Sequence, residues 1–390
     1  RGQTGLRRYS GYIREEFLVE LQGRRGVETY KQMINNDDVV GAVLFAVETL
    51  IRQVPWRTEL PPDPQPVDEE RAAFLESCFQ DMEEPWNFYL SDILSFLGYG
   101  WSFHETIYKI RSGKMSDPRL NSRFDDGLIG WRGFPIRGQD SLLHWNFASN
   151  EIDQLVGFTQ LPAPSYRQIT IPMSKGALYR PYAHKNNPEG RSILRNAYKS
   201  YYMKNFLTNL EGIGIERDLA GLPLMRVPPR IMAPDASAAD KALYAQLQNV
   251  IVNLKRDEQE GVILPAAYDK NGNLMYDLQL LSTGGSRQVD TNAIIERYDR
   301  RIAMTVMADF LFIGHQATGS YALIDNKTEI FAVAIKSFLD VISETFNRKL
   351  IPQLWDKNGW DTDRMPRWVP GDIESPDLEK LGTYIGQLSG

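Results

Sequence analysis

The side chains most often used in catalysis and metal binding are few and widely separated in this sequence. Its four histidines are His104, His144, His184 and His315, and none has a second ligand at the spacing of a zinc motif. His104 precedes Glu105, and neighbours on a strand point to opposite faces, so the two cannot act as an acid/base pair. We expect His104 to lie on a strand with one polar face. The histidines predict neither a general base nor a metal site.

Nucleophile and phosphate-binding motifs are also missing. Cys78, the single cysteine, lies in an apolar helical pattern at 68–82, where a lone cysteine usually serves as a small buried side chain. Ser286 follows two glycines but lacks the later glycine of a nucleophile elbow. The glycines at 212 and 214 lack the third glycine of a dinucleotide motif. We therefore expect no cofactor and no enzymatic activity.

Four basic side chains have a spacing that could contact phosphate. Arg191, Arg195 and Lys199 follow one another at i, i+4, and Lys204 extends this stripe loosely along one helix. The stripe is either a solvated helix face, an occasional phosphate contact, or a partner for acidic residues of another copy, such as Glu296 or Asp299.

A short polar segment joins two helical patterns at 314–320. It has no lysine or arginine, so it could touch a nucleic acid without holding it, because lasting phosphate attachment comes from cationic side chains. It could equally be a plain connection between helices. The residues that would make the contact are His315, Gln316, Thr318, Ser320 and Tyr321.

The first elements that must position these residues are helical. Apolar residues recur at helical spacing over 37–54, and the Asn/Asp cluster at 35–38 supplies N-caps. Four prolines at 60–66 mark a linker, and 68–82 and 85–97 are predicted as two further helices.

A block of short strands follows. Period-two alternation over 101–110 predicts a strand, with a turn at Gly113. Together with the helices before it, the block predicts an α+β unit that ends near Pro188. The other predicted strands are 128–134, 143–147, 155–160 and 177–182.

From residue 191 the pattern becomes helical again. A long helix is predicted at 191–210, and a compositionally different insert follows at 211–282. We expect this insert to form a small α/β module. Its predicted elements are strands at 212–216, 224–227 and 261–264, a helix at 237–256 and a hairpin turn at 270–273.

Two further long helices complete the pattern. Asp290 is a predicted N-cap of a helix that reaches residue 311. After the polar segment, a third helix is predicted at 321–355, and Pro352 should kink or terminate it. Its predicted buried stripe consists of Phe331, Ile335, Phe338, Ile342, Phe346 and Leu350.

Composition restricts the classes of protein. The chain has 390 residues, 42% of them hydrophobic, which is enough for two or three packed units. The net charge of −6 argues against tight nucleic-acid binding, and one cysteine fits a reducing cytosol. The apolar run at 39–47 is too short to span a membrane, so we expect a soluble chain. Because it begins at Arg1 and stops within a helix-like pattern, we expect both natural ends to lie outside it.

The order of these elements, and four local sequences within it, resemble the portal proteins of tailed bacteriophages. The first two are Asn187-Pro-Glu-Gly-Arg-Ser-Ile-Leu-Arg-Asn-Ala-Tyr198, similar to the start of the family's first stem helix, and Glu260-Gly-Val-Ile-Leu-Pro265, similar to a clip strand. The segment Ile330–Trp355 resembles the helix after the tunnel loop. Gly98-Tyr-Gly-Trp-Ser-Phe-His-Glu-Thr-Ile-Tyr108 is similar to the wing of the Mu-like branch. The resemblance covers roughly residues 30–355.

This resemblance implies an α+β portal fold and a division of the chain. A wing at 1–190, a clip at 211–283 and a tunnel loop at 313–320 would be joined by long helices. The C-terminal part departs from the family, because little chain remains for a crown. The connecting segments would be stem helices at 191–210 and 284–312, a long kinked helix at 321–355 that returns to the wing, and 356–390 as further wing and the start of a crown.

The resemblance also implies a function and partners. Family members form a ring, usually of about twelve subunits, at one capsid vertex of the virion after assembly in the host cytoplasm. Double-stranded DNA passes through the ring during packaging and ejection. The implied partners are other copies of the chain, the large terminase, the major capsid or scaffolding protein and a head-tail adaptor protein, with no membrane.

Two other functions stay open at this point. One is a baseplate, tail-sheath or other structural protein of a virion. The other is a nucleic-acid-processing enzyme whose carboxylates bind magnesium, for example Asp125, Asp126 and Asp153. Rings in electron micrographs would favour the portal protein, and metal-dependent nuclease or ATPase activity would favour the enzyme.

Overall fold

The chain folds into two compact units joined by long helices. The computed structural model describes residues 3–148, 154–220, 222–255, 268, 271–281, 290–305 and 321–372. The larger unit comprises Arg1–Tyr201 with Tyr298–Gly390, and the smaller unit comprises Tyr202–Arg297. Within the described residues, no helix is long and apolar enough to cross a membrane.

The helices include all those predicted in the described residues and two that were not predicted, α1 and the short α6. They are α1 (Gly23–Asn36), α2 (Asp38–Gln53), α3 (Pro66–Gln80), α4 (Trp86–Tyr99), α5 (Tyr198–Ala220), α6 (Pro229–Met232), α7 (Ala238–Lys255), α8 (Thr291–Thr305), α9 (Tyr321–Thr345) and α10 (Ile351–Lys357).

The strands are short and form small antiparallel sheets. The described sheets have the orders β1-β2, β14-β3, β11-β4-β7, β5-β6, β10-β9-β8 and β12-β13. Their bounds are β1 (Arg8–Tyr9), β2 (Tyr12–Ile13), β3 (Trp56–Glu59), β4 (Ser102–Glu105), β5 (Ile107–Ser112), β6 (Asp125–Gly133), β7 (Ile136–Arg137), β8 (Leu142–Phe147), β9 (Leu155–Gln160), β10 (Ile169–Pro172), β11 (Gly176–Tyr179), β12 (Leu222–Arg226), β13 (Asp277–Leu281) and β14 (Arg367–Pro370).

The N-caps explain where α2 and α3 begin. Asp37 caps α2, because its carboxylate accepts a hydrogen bond of 2.9 Å from the Val40 amide, as the sequence predicted. Helix α3 begins at Pro66, earlier than the predicted residue 68. Gln65 and Asp68 form a capping box there, and proline is well suited to the first helical turn.

The predicted strand at 101–110 is two strands in different sheets. The chain changes partners at Thr106, whose amide donates to the Lys175 carbonyl, so β4 pairs with β11 and β7 whereas β5 pairs with β6. The predicted polar face of this strand is also wrong. Ser102 and His104 are fully buried, because β4 packs against α4 and the Ser102 hydroxyl donates to the Ile93 carbonyl at 2.8 Å.

The core of the larger unit confirms the predicted stripe on α9. All six apolar residues from Phe331 to Leu350 are buried together with α2, α3 and α4. The helix neither ends nor breaks at Pro352. A π-helical turn at Phe346–Leu350 precedes α10, which places Pro352 in the first turn of α10, where its missing N–H is tolerated.

The smaller unit contains β12, β13, α6 and α7 around Ile231, Leu247 and Tyr276. Here the predicted strand at 212–216 is wrong, because α5 continues through it to Ala220. The alternation of glycine and isoleucine at 212–215 has the period of a strand, but the continuation of α5 through these residues overrides that local preference. The Glu211 carboxylate accepts a 2.5 Å hydrogen bond from Thr291 in α8. Asp290 caps α8 as predicted, through the Ala293 amide.

Candidate functional site at the start of helix α5

Two of the sequences that carry the portal resemblance meet where the chain turns into α5. Gly100 ends α4 with φ +93°, and Gly190 has φ +54°. A Cβ on Gly190 would overlap the Gly100 carbonyl oxygen, and a Cβ on Gly100 would lie 2.7 Å from the Glu189 oxygen. Only glycine allows both the left-handed φ and this approach, so the pair fixes the position of Glu189.

Ser192 ties the same turn to α4. Its buried hydroxyl donates 2.6 Å to the Gly98 carbonyl and accepts 3.0 Å from the Leu194 amide. A 3-10 turn at Ile193–Asn196 follows, and Leu194 and Ala197 are buried in an apolar cluster with Tyr201. The α-helix therefore begins only at Tyr198.

The predicted basic stripe is corrected by this geometry. Arg191 precedes the helix, and Arg195 lies in the 3-10 turn before α5. Neither residue therefore belongs to the α-helix that the i, i+4 spacing predicted. Arg191 is exposed and donates to Asn196 at 2.8 Å. Lys199 is exposed, whereas Lys204 is 9% exposed and buried. The helix starts late because Ser192 is held by Gly98, a contact remote in sequence.

Arg195 clamps the N-terminal segment, residues 3–22. Its guanidinium donates to both oxygens of Glu16, at 2.5 and 2.8 Å, and both side chains are mostly buried. Burial alone would raise the pKa of Glu16, but hydrogen bonds from Arg195 and the Leu18 amide outweigh it and hold that pKa below its usual range.

Two further contacts hold the N-terminal segment. Lys185 forms an ion pair of 3.1 Å with Glu15. In the hairpin of β1 and β2, Gly11 accepts a 3.0 Å hydrogen bond from the Trp145 amide. A side chain on Gly11 would overlap the Trp145 carbonyl, so the hairpin needs glycine there.

These contacts enclose a cavity of about 750 Å³, which we name the N-terminal cavity. It is lined by parts of 11–30, 139–166 and 184–195, all of which belong to the larger unit. Glu189 lines it, half-buried, and accepts a 3.2 Å hydrogen bond from the Trp145 indole. Burial raises the pKa of Glu189 to about 7. The volume suits a side chain or a short peptide.

The predicted channel residues are not placed by the structure. His315, Gln316, Thr318 and Ser320 lie outside the described residues. Tyr321 is the first residue of α9, and nothing is described of its side chain. Their contact with DNA stays a prediction.

The residues considered for catalysis or metal binding that the structure describes are buried or held by contacts within the fold. Burial lowers the pKa of His104 to about 4, and its Nδ1 lies 2.7 Å from the Phe134 carbonyl oxygen. Burial raises the pKa of Cys78 to about 12. Asp126 forms an ion pair of 2.7 Å with Arg111. Asp153 lies outside the described residues, and within them no cluster of His, Cys, Asp and Glu could hold a metal.

Sequence reasoning missed Glu16, Glu189 and Trp145 as a group. The motif around Glu189 carries the portal resemblance, and its Pro-Glu-Gly order is a local signal for a turn at Glu189. Glu16 gave no signal, because its partner Arg195 is remote in sequence.

Known proteins share this fold. A protein from the neck of an empty GTA particle, computed with C6 symmetry, aligns at a TM-score of 0.52 and 11% identity, over 90% of this chain and 86% of its own. A protein from the neck of a native GTA particle, computed with C12 symmetry, aligns at 0.51 and 12%, over 92% and 89%. A HK97 family phage portal protein from Corynebacterium diphtheriae aligns at 0.45 and 10%, over 87% and 93%.

The family comparison covers nearly the whole chain. The model of the portal protein of Mu bacteriophage matches residues 27–390. This span includes the turn of Gly100 and Gly190, helix α5 that follows it, the smaller unit and the long helix α9. The chain therefore belongs to the family of Mu bacteriophage portal proteins.

Proposed function

We propose that this chain is a subunit of a portal ring at a capsid vertex, through which double-stranded DNA is packaged and ejected. Membership of the Mu portal family supports this role, and so does the fold shared with neck proteins of GTA particles, one of them computed with C12 symmetry. In the proposal the ring has twelve subunits, and the protein has a structural role without a catalytic step.

The observation that carries the proposal is an exposed apolar stripe on α5. Phe206, Leu210 and Ile213 follow one another at i, i+4 and i+7, so they share one face of the helix. They are 49%, 47% and 46% exposed in a single subunit. An isolated exposed apolar residue is ordinary, but three in a row on one helix face predict a contact.

A second copy of the chain is the partner we assign to this stripe. In a closed ring each subunit presents one surface to the next subunit and a different surface to the previous one. A stem helix whose stripe packs against the neighbouring subunit would remove these side chains from water, at about 25 cal/mol for each Å² buried.

The charges on the start of α5 support a channel that binds DNA weakly. Arg195 is neutralised by Glu16 and Lys204 is buried, so only Arg191 and Lys199 of the basic stripe are exposed. The net charge of each subunit is −6. Fewer available cations mean fewer released counterions and a weaker hold on phosphate, which suits a conduit.

The proposal assigns parts to the segments of the chain. Residues 1–190 and 321–372 would form the wing, and α5 and α8 the stem. The chain between these two helices would form the clip, which begins later than the predicted residue 211 because α5 reaches Ala220. The large terminase during packaging and a head-tail adaptor protein afterwards would dock on the ring, and the capsid or scaffolding protein would hold it in the shell.

Ring assembly is tested by introducing negative charge into the stripe. The double variant F206E/L210E should form monomers or small oligomers, because it places carboxylates in the subunit contact. The matched control is T208E, on the opposite side of α5, where the side chain is exposed. Mass photometry and negative-stain electron microscopy measure the particle size, and circular dichroism checks the fold.

Two outcomes would contradict this function. Wild-type protein that stays monomeric at every concentration and salt tested would exclude a portal ring. Rings of normal size in F206E/L210E would exclude the stripe as the subunit contact.

The polar segment at 313–320 has its own test within the proposal. We assign it to the tunnel loop, where side chains without positive charge would touch passing DNA. Deletion of Gln316–Gly319 should alter DNA packaging or retention and leave ring assembly unchanged. Unchanged packaging would remove the loop from the mechanism.

A further inference from the structure

Among the described residues, the N-terminal cavity contains one carboxyl group without a cationic partner. Glu189 is held by the Trp145 indole, which supplies a hydrogen bond but no positive charge. The other carboxylates that line the cavity are all in ion pairs: Glu15 with Lys185 at 3.1 Å, Glu16 with Arg195 at 2.5 Å, and Asp140 with Lys31 at 3.8 Å.

We infer that the N-terminal cavity binds an arginine side chain presented by a segment of a partner protein, with Glu189 as its counter-charge. A half-buried carboxylate is destabilised by lost hydration, and a cation in the same cavity would compensate for that loss. The raised pKa of Glu189, about 7, agrees with a carboxyl group that lacks such a cation.

Aromatic side chains around the cavity favour arginine over lysine. Tyr12, Phe17 and Tyr166 line it and are 45%, 79% and 69% exposed. The Arg195 guanidinium already lies 5.4 Å from the centre of the Phe17 ring, which shows that an aromatic ring at this cavity takes a guanidinium. A guanidinium stacks on aromatic rings and donates two parallel hydrogen bonds to a carboxylate, whereas an ammonium offers only a point charge. Exposed aromatic residues next to a pocket are also typical of protein–protein contacts.

An anionic ligand is a weaker fit to the same cavity. Lys185 and Arg195 are already paired with carboxylates, and Arg24 forms an ion pair of 3.3 Å with Glu28. Arg191 also lines the cavity but is exposed, so an anion would gain little from a charge that water already solvates. Glu189 gains more, because it is less hydrated.

The inference does not depend on ring formation, because every residue that lines the cavity belongs to one unit of one subunit. Failure of the ring experiment would therefore leave it standing, and its own failure would leave the portal function standing.

The test is calorimetric titration of the full chain with acetyl-Gly-Arg-Gly-amide at low salt. The same peptide with citrulline in place of arginine keeps the shape and removes the charge. We expect the citrulline peptide to bind at least about tenfold more weakly, the usual scale for loss of a charged hydrogen bond. E189Q should lose the arginine preference, and E84Q, at an exposed position outside the cavity, should keep it.

The pH dependence gives a second readout. A bound cation favours the carboxylate form of Glu189, so affinity should rise between pH 6 and pH 8. His144 and His184 also line the cavity, so the slope that remains in E189Q measures every contribution other than that of Glu189.

Three results would overturn the inference: no binding of the arginine peptide at millimolar concentration, equal affinity for arginine and citrulline peptides, or an unchanged arginine preference in E189Q. The comparison of the two peptides on wild-type protein decides the matter even if E189Q does not fold.

Discussion

The clamp between Arg195 and Glu16 predicts that a single substitution will loosen the N-terminal segment without unfolding the protein. In R195A the segment 12–22 loses both guanidinium hydrogen bonds, at 2.5 and 2.8 Å. Glu16 keeps its backbone hydrogen bonds, among them one of 3.0 Å from the Leu18 amide, so it is not left wholly unsatisfied.

The size of the effect follows from burial. The two side chains are 17% and 23% exposed, which places the pair between an exposed ion pair, worth at most about 1 kcal/mol, and a buried one, worth about 3 to 5 kcal/mol when broken. We therefore expect a loss of about 2 kcal/mol in local stability. At about 1.4 kcal/mol for each factor of ten, amide protection in 12–22 should fall roughly 30-fold.

Hydrogen–deuterium exchange with mass spectrometry measures this protection. R191A is the matched control, because Arg191 is exposed and donates a hydrogen bond to Asn196 within the same turn. R195K keeps the charge but not the planar guanidinium, so the amide protection of 12–22 in this variant should lie between that of R195A and that of wild type. Equal exchange of 12–22 in R195A and R191A would refute the clamp.

Other substitutions and conditions have separate expected outcomes. G190A should lower the free energy of unfolding in urea by at least about 2 kcal/mol, because its Cβ overlaps the Gly100 carbonyl. Gly127 has φ +69°, but a Cβ there would have no atom within 4 Å. G127A should therefore lower the free energy of unfolding only by the cost of the left-handed backbone, about 1 kcal/mol. Burial lowers the pKa of His104 to about 4 in the folded chain. As pH falls, His104 therefore binds a proton at a higher pH in the unfolded chain than in the folded chain. Stability should therefore fall by up to about 3 kcal/mol from pH 6.5 to pH 4, and H104Q should lack that part of the slope; an equal slope in both proteins would exclude His104 as its cause.

Helices with a single buried face were predictable from the sequence. The α9 stripe from Phe331 to Leu350 is buried as predicted, because the period of apolar residues directly encodes which face meets the core. The Asp37 and Asp290 caps were predictable for a similar reason, since a cap forms with residues three positions away.

Features set by remote contacts were not predictable. The late start of α5 depends on the hydrogen bond between Ser192 and Gly98. The roles of Arg195 and Glu16 depend on an ion pair between residues that are 179 positions apart in the sequence. The run at 212–216 has the composition of a strand, yet it is helix because α5 continues through it. In the candidate site, the sequence marked the segments 98–108 and 187–198 through their resemblance, but not the cavity that they help to line.

The π turn at Phe346–Leu350 has a consequence for the phasing of the helix on either side of it. An α-helix advances about 100° per residue, so one additional residue in a turn rotates everything after it by about that angle. In an uninterrupted helix, Ile351, Leu354 and Trp355 would face away from the stripe that begins at Phe331. All three are buried in the same core. The additional residue thus brings two sequence segments that are out of phase onto one face, and the turn marks where deletion of one residue would restore an uninterrupted α-helix with both halves still correctly oriented.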